Sequence, residues 1–262
     1  MGMLQHPSID PIIISFGPLA IRWYGLAYIA GALLPLYVLK SLFRKYKLSV
    51  DDSVNYISYI MIGAILGGRV GYILFYDLLY YVQHPGNILA VWQGGMSYHG
   101  GAIGAIIASI IYAKRYSRSV LGLLDILSFG STIGIFFGRL ANFINAELYG
   151  RVTTVAWGMV FPNAGPETRH PSQLYEAFFE GALLFAVLLW VNNKYQPKPG
   201  ILLALYMLAY GFSRFIIEFY RLPDAHLGAV LGPLSMGQLL CVLEILLGAV
   251  LLFRLRQVYT QQ

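Results

Sequence analysis

What most constrains this chain is the recurrence of apolar stretches long enough to cross a bilayer. A hydrocarbon core about 30 Å thick takes ~20 residues of helix. Seven stretches of that order stand near 18–40, 54–78, 99–116, 121–144, 172–192, 200–221 and 233–253. Runs such as GALLFAVLLWV (181–191) are apolar on every side, whereas the strands of an outer-membrane barrel alternate apolar and polar residues. The fold class predicted is therefore all-α: a polytopic membrane protein of about seven transmembrane helices, one integral membrane domain over 1–262. Composition agrees, since 58% of residues are hydrophobic and 11% are charged, while soluble chains carry about 25% charged residues.

The formal charge of +6 would suit a nucleic-acid patch or the loops of a membrane protein, and its distribution decides for loops, with no nucleic-acid partner. Alternate loops hold Lys40, Arg44, Lys45 and Lys47, then Lys114, Arg115 and Arg118, then Lys194 and Lys198, and finally Arg254 and Arg256, which is 11 of the 18 Lys and Arg. The intervening loops hold Arg151 and Arg169 alone. By the positive-inside rule the N-terminus is expected outside and the C-terminus in the cytoplasm.

Between the second and third spans, the segment near 79–98 is broken by Pro85, Gly86, Gly94 and Gly95 and is read as an interfacial or re-entrant piece. The polar, Pro- and Gly-rich stretch near 145–171 is read as a small outer-face cap. The first twenty residues hold no Lys or Arg, so the start is expected to be mature protein. Residue 6 is His, not Ser or Thr, so acylation at Gly2 is not expected.

Five arginines, Arg22, Arg69, Arg139, Arg214 and Arg221, lie within or at the ends of the spans, and all fall in their outer halves. An ionisable group in hydrocarbon costs roughly 2.5–3.5 kcal/mol on insertion scales, so each needs a partner, water or a function. A guanidinium is bidentate and suits phosphate, which suggests an anionic headgroup; interfacial snorkelling or structural pairing is the plainer account, above all for Arg22 and Arg221. Arg214, Glu218 and Arg221 follow at intervals of four and three and would share a helix stripe, either as a staple or with Glu218 orienting an arginine. Arg139 and Asn142 share a helix face. Asn145, Glu147, Tyr149 and Arg151 continue past the expected helix end, where Gly150 permits a turn, and together they read as the lining of a polar cavity in preference to a satisfied structural cap.

His99 stands between glycine pairs, where a ligand can approach and an imidazole can accept a proton, although a lone interfacial histidine is more often a hydrogen-bonding group. In HPSQLYEA, Pro171 and Ser172 suit a helix start, with Gln173 and Glu176 on the first turn, and its polarity at the outer boundary places it beside the same expected cavity. Cys241, the single cysteine, is expected to be a packing residue. His6, His84, His99, His170 and His226 show no metal-ligand spacing, so no metal is expected.

RWYGLAY (22–28), GGRVGY (67–72), GGMSYHGG (94–101), GRLANFINAELYGR (138–151), HPSQLYEA (170–177) and SRFIIEFYRLPD (213–224) occur in this order over nearly the whole chain. Together they resemble the bacterial prolipoprotein diacylglyceryl transferases. The resemblance implies a seven-span inner-membrane enzyme, with its site toward the periplasm, that moves the diacylglyceryl group of phosphatidylglycerol onto the lipobox cysteine of a prolipoprotein and releases glycerol phosphate. It implies that Arg139 binds the lipid headgroup, with Asn142, Glu147 and Gly150 in the same signature, and that Tyr24, His99, Arg214 and Glu218 have important roles. Ala141 and Ala146 depart from the commonest pattern, in which glycines are frequent, and this bears on local backbone detail.

That chemistry fits the residues. Departing phosphate gains charge and needs fixed cations, for which Arg139 and Arg214 are candidates. The incoming thiol, of ordinary pKa ~8.5, attacks as thiolate; His99 is the first candidate base, while Glu147 and Glu218 position arginines or take the proton. Phosphatidylglycerol, the prolipoprotein signal peptide and membrane lipids are the expected partners, and no cofactor is required. The rival class is a transporter of an anionic lipid or metabolite, disfavoured by the absence of an internal repeat and by the one-sided arginines.

Overall fold

The computed structural model describes residues 3–17, 19–222, 229–231 and 234–260. The acylation position Gly2, Pro18 and Pro233 at the starts of two expected spans, Pro223 and Asp224 of the last motif, and His226 lie outside the described residues.

The chain is predominantly helical, and a helix lies in each of the seven apolar stretches: α1 (Trp23–Val38), α3 (Val50–Tyr76), α5 (Tyr98–Arg115), α6 (Val120–Ile144), the Ser172–Tyr195 helix, α9 (Ile201–Ile217) and α10 (Met236–Thr260). Val50–Tyr76, Val120–Ile144, Ser172–Tyr195 and Met236–Thr260 are long and apolar enough to cross a membrane, and Trp23–Val38 and Ile201–Ile217 are shorter apolar helices. Large apolar side chains stand outward along them, with Phe75 at 81% and Phe253 at 62% exposure, which in water would be an aggregation surface and in lipid is the ordinary outer face.

Two compact units are distinguished, one of Met1–Tyr37 with Leu127–Gln262 and the other of Val38–Ile126. In the second unit, α2 (Lys40–Lys45) precedes α3, whose start is fixed by a capping box. Ser49 Oγ accepts from Asp52 N at 3.0 Å and Asp52 Oδ2 accepts from Ser49 N at 3.1 Å. Gly63, Gly67 and Gly71 on α3 face Gly100 and Gly104 on α5 so closely that a methyl at Gly67 would overlap the Gly100 carbonyl and one at Gly104 the Gly63 carbonyl. Without side chains the two backbones meet directly, the contact mode favoured where lipid removes the hydrophobic drive.

The segment after α3 breaks as its Pro and Gly content predicts, into α4 (Leu78–Gln83) and two 3₁₀ turns at Pro85–Leu89 and Val91–Gln93. Arg69 holds it. Its guanidinium donates to the carbonyls of Asn87 (2.6 Å), Ile88 (2.8 Å), Ala90 (3.2 Å), Gly94 (2.7 Å) and Gly95 (3.1 Å), and lies 4.9 Å from the Tyr81 ring centroid. At 4% exposure this arginine is committed to the backbone.

In the first unit, residues expected to open the first span instead form a hairpin, β2 (Ile12–Phe16) antiparallel to β3 (Leu19–Arg22), so that Arg22 ends a strand and α1 begins one residue later. β1 (Leu4–Gln5) runs parallel to β4 (Met159–Val160), which pairs antiparallel with β5 (Thr168–Arg169). β4 and β5 are the strands of the 145–171 stretch. Gly134 of α6 packs on Gly31 of α1, Gly181 on Phe136 of α6, and Gly211 and Gly248 join α9 to α10, where Cys241 is buried. The Ser172–Tyr195 helix begins as α7 (Ser172–Glu176), passes through a π-helical segment at Ala177–Leu183 and continues as α8 (Leu184–Tyr195). A further antiparallel pair, β6 (Ala229–Leu231) and β7 (Leu234–Ser235), precedes α10.

Candidate functional site

The first unit gathers most of the predicted residues at the ends of α6 and α9 and the start of the Ser172–Tyr195 helix. Asn142 sits on the last turn of α6; its Nδ2 donates to Glu147 Oε1 at 2.9 Å and also to the Tyr24 hydroxyl, and that hydroxyl in turn donates to Glu147 Oε1. Arg139, one turn earlier, donates to Asn142 Oδ1 at 3.4 Å. Tyr24, Arg139, Asn142 and Glu147 are thus one hydrogen-bonded chain.

The loop that carries Glu147 is held by the next helix. Gln173 Nε2 donates to the Glu147 carbonyl at 2.6 Å and Ser172 Oγ to the Leu148 carbonyl at 3.1 Å, and both side chains are fully buried. Two left-handed residues, Ala146 (φ 53°) and Leu148 (φ 55°), turn the loop. The expectation that Gly150 makes that turn is corrected, because Gly150 does not have positive φ. It is needed for close approach: a methyl there would overlap the Tyr220 carbonyl, and its N–H donates to the His170 carbonyl at 2.8 Å. Gly150 pairs with Arg221 as an isolated bridge, which fastens the end of the GRLANFINAELYGR motif to the end of SRFIIEFYR. Beside it, burial holds the His170 imidazole below its ordinary pKa.

Glu176 joins the arginines. This carboxylate, at 1% exposure, lies 2.5 Å from Arg139 Nε, 3.2 Å from Arg214 Nη1 and 3.5 Å from Arg221 Nε. Arg214 Nη2 pairs with Glu218 Oε2 at 3.2 Å, the i,i+4 contact the sequence predicts, and Arg221 Nε lies 3.7 Å from the same oxygen. The stripe is not wholly helical. α9 ends at Ile217, Glu218 caps it and a turn carries the chain to Arg221. Ser235 Oγ donates to Glu218 Oε1 at 3.0 Å. Glu180, fully buried, is the outlying member at 3.7 Å from Arg214 Nη1.

Three arginines therefore face Glu176, Glu180 and Glu218, with Glu147 linked through Asn142. Each arginine retains some access, with side-chain exposures of 21% for Arg139, 15% for Arg214 and 12% for Arg221. Buried ion pairs contribute little net stability, but they fix geometry when fully networked. The result is a set of oriented guanidinium forks able to receive a phosphate ester. Among the described residues no group of three or more His, Cys, Asp or Glu is placed to hold a metal ion.

His99 belongs to the second unit. It is exposed on the first turn of α5, whose N-cap Ser97 accepts from Gly100 N at 3.2 Å, with the ring 5.6 Å from that of Tyr98. Sequence reasoning read Glu176 chiefly as part of a helix start lying beside the presumed cavity, and passed over Glu180. A signal existed: two acids four residues apart at the start of an apolar span are as costly there as the arginines, and opposite charges in hydrocarbon seek each other.

Comparison with known proteins follows the same lines. The family model for prolipoprotein diacylglyceryl transferase matches residues 11–254. A phosphatidylglycerol--prolipoprotein diacylglyceryl transferase of Paramagnetospirillum magneticum is 48% identical over 257 residues, covering 95% of this chain and 94% of the relative. Proteins of the same name from Geobacter sulfurreducens (47% over 247 residues, 94% and 95%) and Rickettsia rickettsii (44% over 253 residues, 95% and 98%) are similar over the same extent.

Proposed function

Because this chain belongs to the prolipoprotein diacylglyceryl transferase family, we propose that it transfers the diacylglyceryl group of phosphatidylglycerol to the thiol of the lipobox cysteine in prolipoproteins. This is the first step of lipoprotein maturation; it forms a thioether and releases glycerol phosphate. The observation that carries the site assignment is the bridging of Arg139 and Arg214 by one buried carboxylate, Glu176, which holds two guanidinium forks at a single locus.

The bond that breaks joins a glycerol carbon to a phosphate oxygen. The cysteine sulfur, as thiolate, attacks that carbon, and the electron pair leaves with glycerol phosphate. Charge accumulates on the phosphate as the bond lengthens, and preoriented guanidiniums lower the barrier because they need not reorganise at that moment. Arg139 and Arg214 take this role. Tyr24, Asn142 and Glu147 hold Arg139 on its α6 face, and Glu218 holds Arg214. His99, exposed on the first turn of α5, accepts the thiol proton.

The chain crosses the inner membrane seven times, with its N-terminus periplasmic, its C-terminus cytoplasmic, the short hairpin and small sheet on the outer face, and the reaction toward the periplasm. The Lys and Arg asymmetry of the loops supports that orientation. Both substrates reach the site from the bilayer.

The test combines the purified protein with phosphatidylglycerol and a lipobox peptide. Released glycerol phosphate and a thioether-linked peptide are expected in equal amounts. A lipid-bound structure in which the phosphorus lies away from Arg139 and Arg214 would sink the site assignment while leaving the reaction standing.

A further inference from the structure

Among the described residues, Glu180 alone of the carboxylates around Arg214 has no cation within hydrogen-bonding distance. Glu176 lies 2.5 Å from Arg139 and 3.2 Å from Arg214, and Glu218 lies 3.2 Å from Arg214, whereas Glu180 Oε1 stands 3.7 Å from Arg214 Nη1. Glu180 is fully buried, and among the described residues its ion-pair partner is Arg214, at that longer distance. Arg214 Nη1 stands over both acids, nearer to Glu176 Oε2 at 3.2 Å than to Glu180 Oε1 at 3.7 Å. A buried carboxylate held by so long a contact is costly and calls for an explanation.

The backbone goes out of its way to place it. Glu180 lies in the π-helical segment Ala177–Leu183, with Gly181 pressed on the backbone of Phe136 in α6. Such segments commonly mark functional sites, because the wider turn re-aims side chains that a regular helix would direct elsewhere. At rest, Glu176 occupies both the Nε edge of Arg139 and the Nη1 edge of Arg214. A phosphate that enters between these arginines competes with Glu176 for both edges, and Arg214, mostly buried, must then place Nη1 on another anion or on the lipid itself.

Resting on the assignment of Arg214 to the phosphate site, we propose that Glu180 is a positioning residue that receives the Nη1 edge of Arg214 when the phosphate of phosphatidylglycerol displaces Glu176. It acts only in the lipid-bound state. Its removal therefore weakens lipid binding and leaves peptide recognition alone, whereas a purely structural acid would lower stability and affect both substrates together.

The experiment uses the full-length protein in detergent, with dioctanoyl phosphatidylglycerol as soluble lipid probe and a lipobox peptide. Lipid Kd is measured for the parent, E180Q, R214K and the double variant, and peptide KM for the parent and E180Q. E180Q is expected to weaken lipid binding about tenfold, the scale of one charge-assisted hydrogen bond, with peptide KM within about twofold and the thermal midpoint near that of the parent, since only the long resting contact is lost. In the R214K background the same change should have almost no further effect. An unchanged lipid Kd, parallel losses for both substrates, or an equal loss with and without Arg214 overturns the proposal. If E180Q fails to accumulate, E180D, which shortens the side chain and keeps the charge, is read by the same criteria. A parent protein that binds lipid yet releases no glycerol phosphate counts against the transferase reading and not against Glu180.

Discussion

At the scale of single residues, geometry matters more than charge. Arg139 uses its Nε edge on Glu176 and an Nη on Asn142, a fork that an ammonium does not reproduce. Arg139→Lys is expected to lower turnover by roughly 100-fold, as loss of a preoriented donor does elsewhere; near-parental turnover would contradict the clamp. His99→Gln should slow the thiol step, flatten its dependence on pH and leave lipid Kd unchanged, and a rate profile that keeps its shape removes His99 as the base. Ala146 holds φ at 53°, a conformation that costs an L-residue about 1–2 kcal/mol and glycine little. After the extra chain entropy of glycine is subtracted, Ala146→Gly should raise stability by roughly 0.5–1 kcal/mol, read from the unfolding midpoint in detergent. The departure from glycine noted in the sequence is thus a local strain that the surrounding hydrogen bonds of Gln173 and Ser172 hold in place.

At the scale of elements, the apolar stretches and the end of α6 were legible because each has a local cause: a run of apolar residues, then polar ones. The Arg214–Glu218 pair was legible for the same reason, being four residues apart on one helix. What stayed hidden depends on residues distant in sequence. Nothing near Glu176 announces that it meets arginines from two other motifs, and nothing near Gly150 says that a carbonyl from residue 220 fills its side-chain position. The β2–β3 hairpin was hidden differently, because IIISF and LAIR are apolar enough to pass for the head of a span. Glycines spaced by four were visible on α3, but their use required α5. Gly104→Leu forces the branched side chain into the backbone of Gly63 and should cost at least about 2 kcal/mol. Its measure is the thermal midpoint, and an unchanged value would mean that α3 and α5 do not meet as described.

At the scale of the whole molecule, charge placement relates the fold to its membrane. In a Cys241→Ala background, Glu167→Cys should react with an impermeant maleimide in intact spheroplasts, and Lys194→Cys only after permeabilisation, because Lys194, on the last turn of α8, stands on the side whose connections hold 11 Lys and Arg, and Glu167 on the side that holds Arg151 and Arg169. The reverse pattern would invert the orientation. Arg69 belongs to this scale as well, because among the described residues no carboxylate pairs with its charge. The five carbonyls that surround it act as a crown ether acts on a cation: the ring of dipoles repels itself and closes only around the ion. The folded-back stretch between α3 and α5 should therefore depend on that one ion, and removing it, as Arg69→Met would, should spring the stretch open.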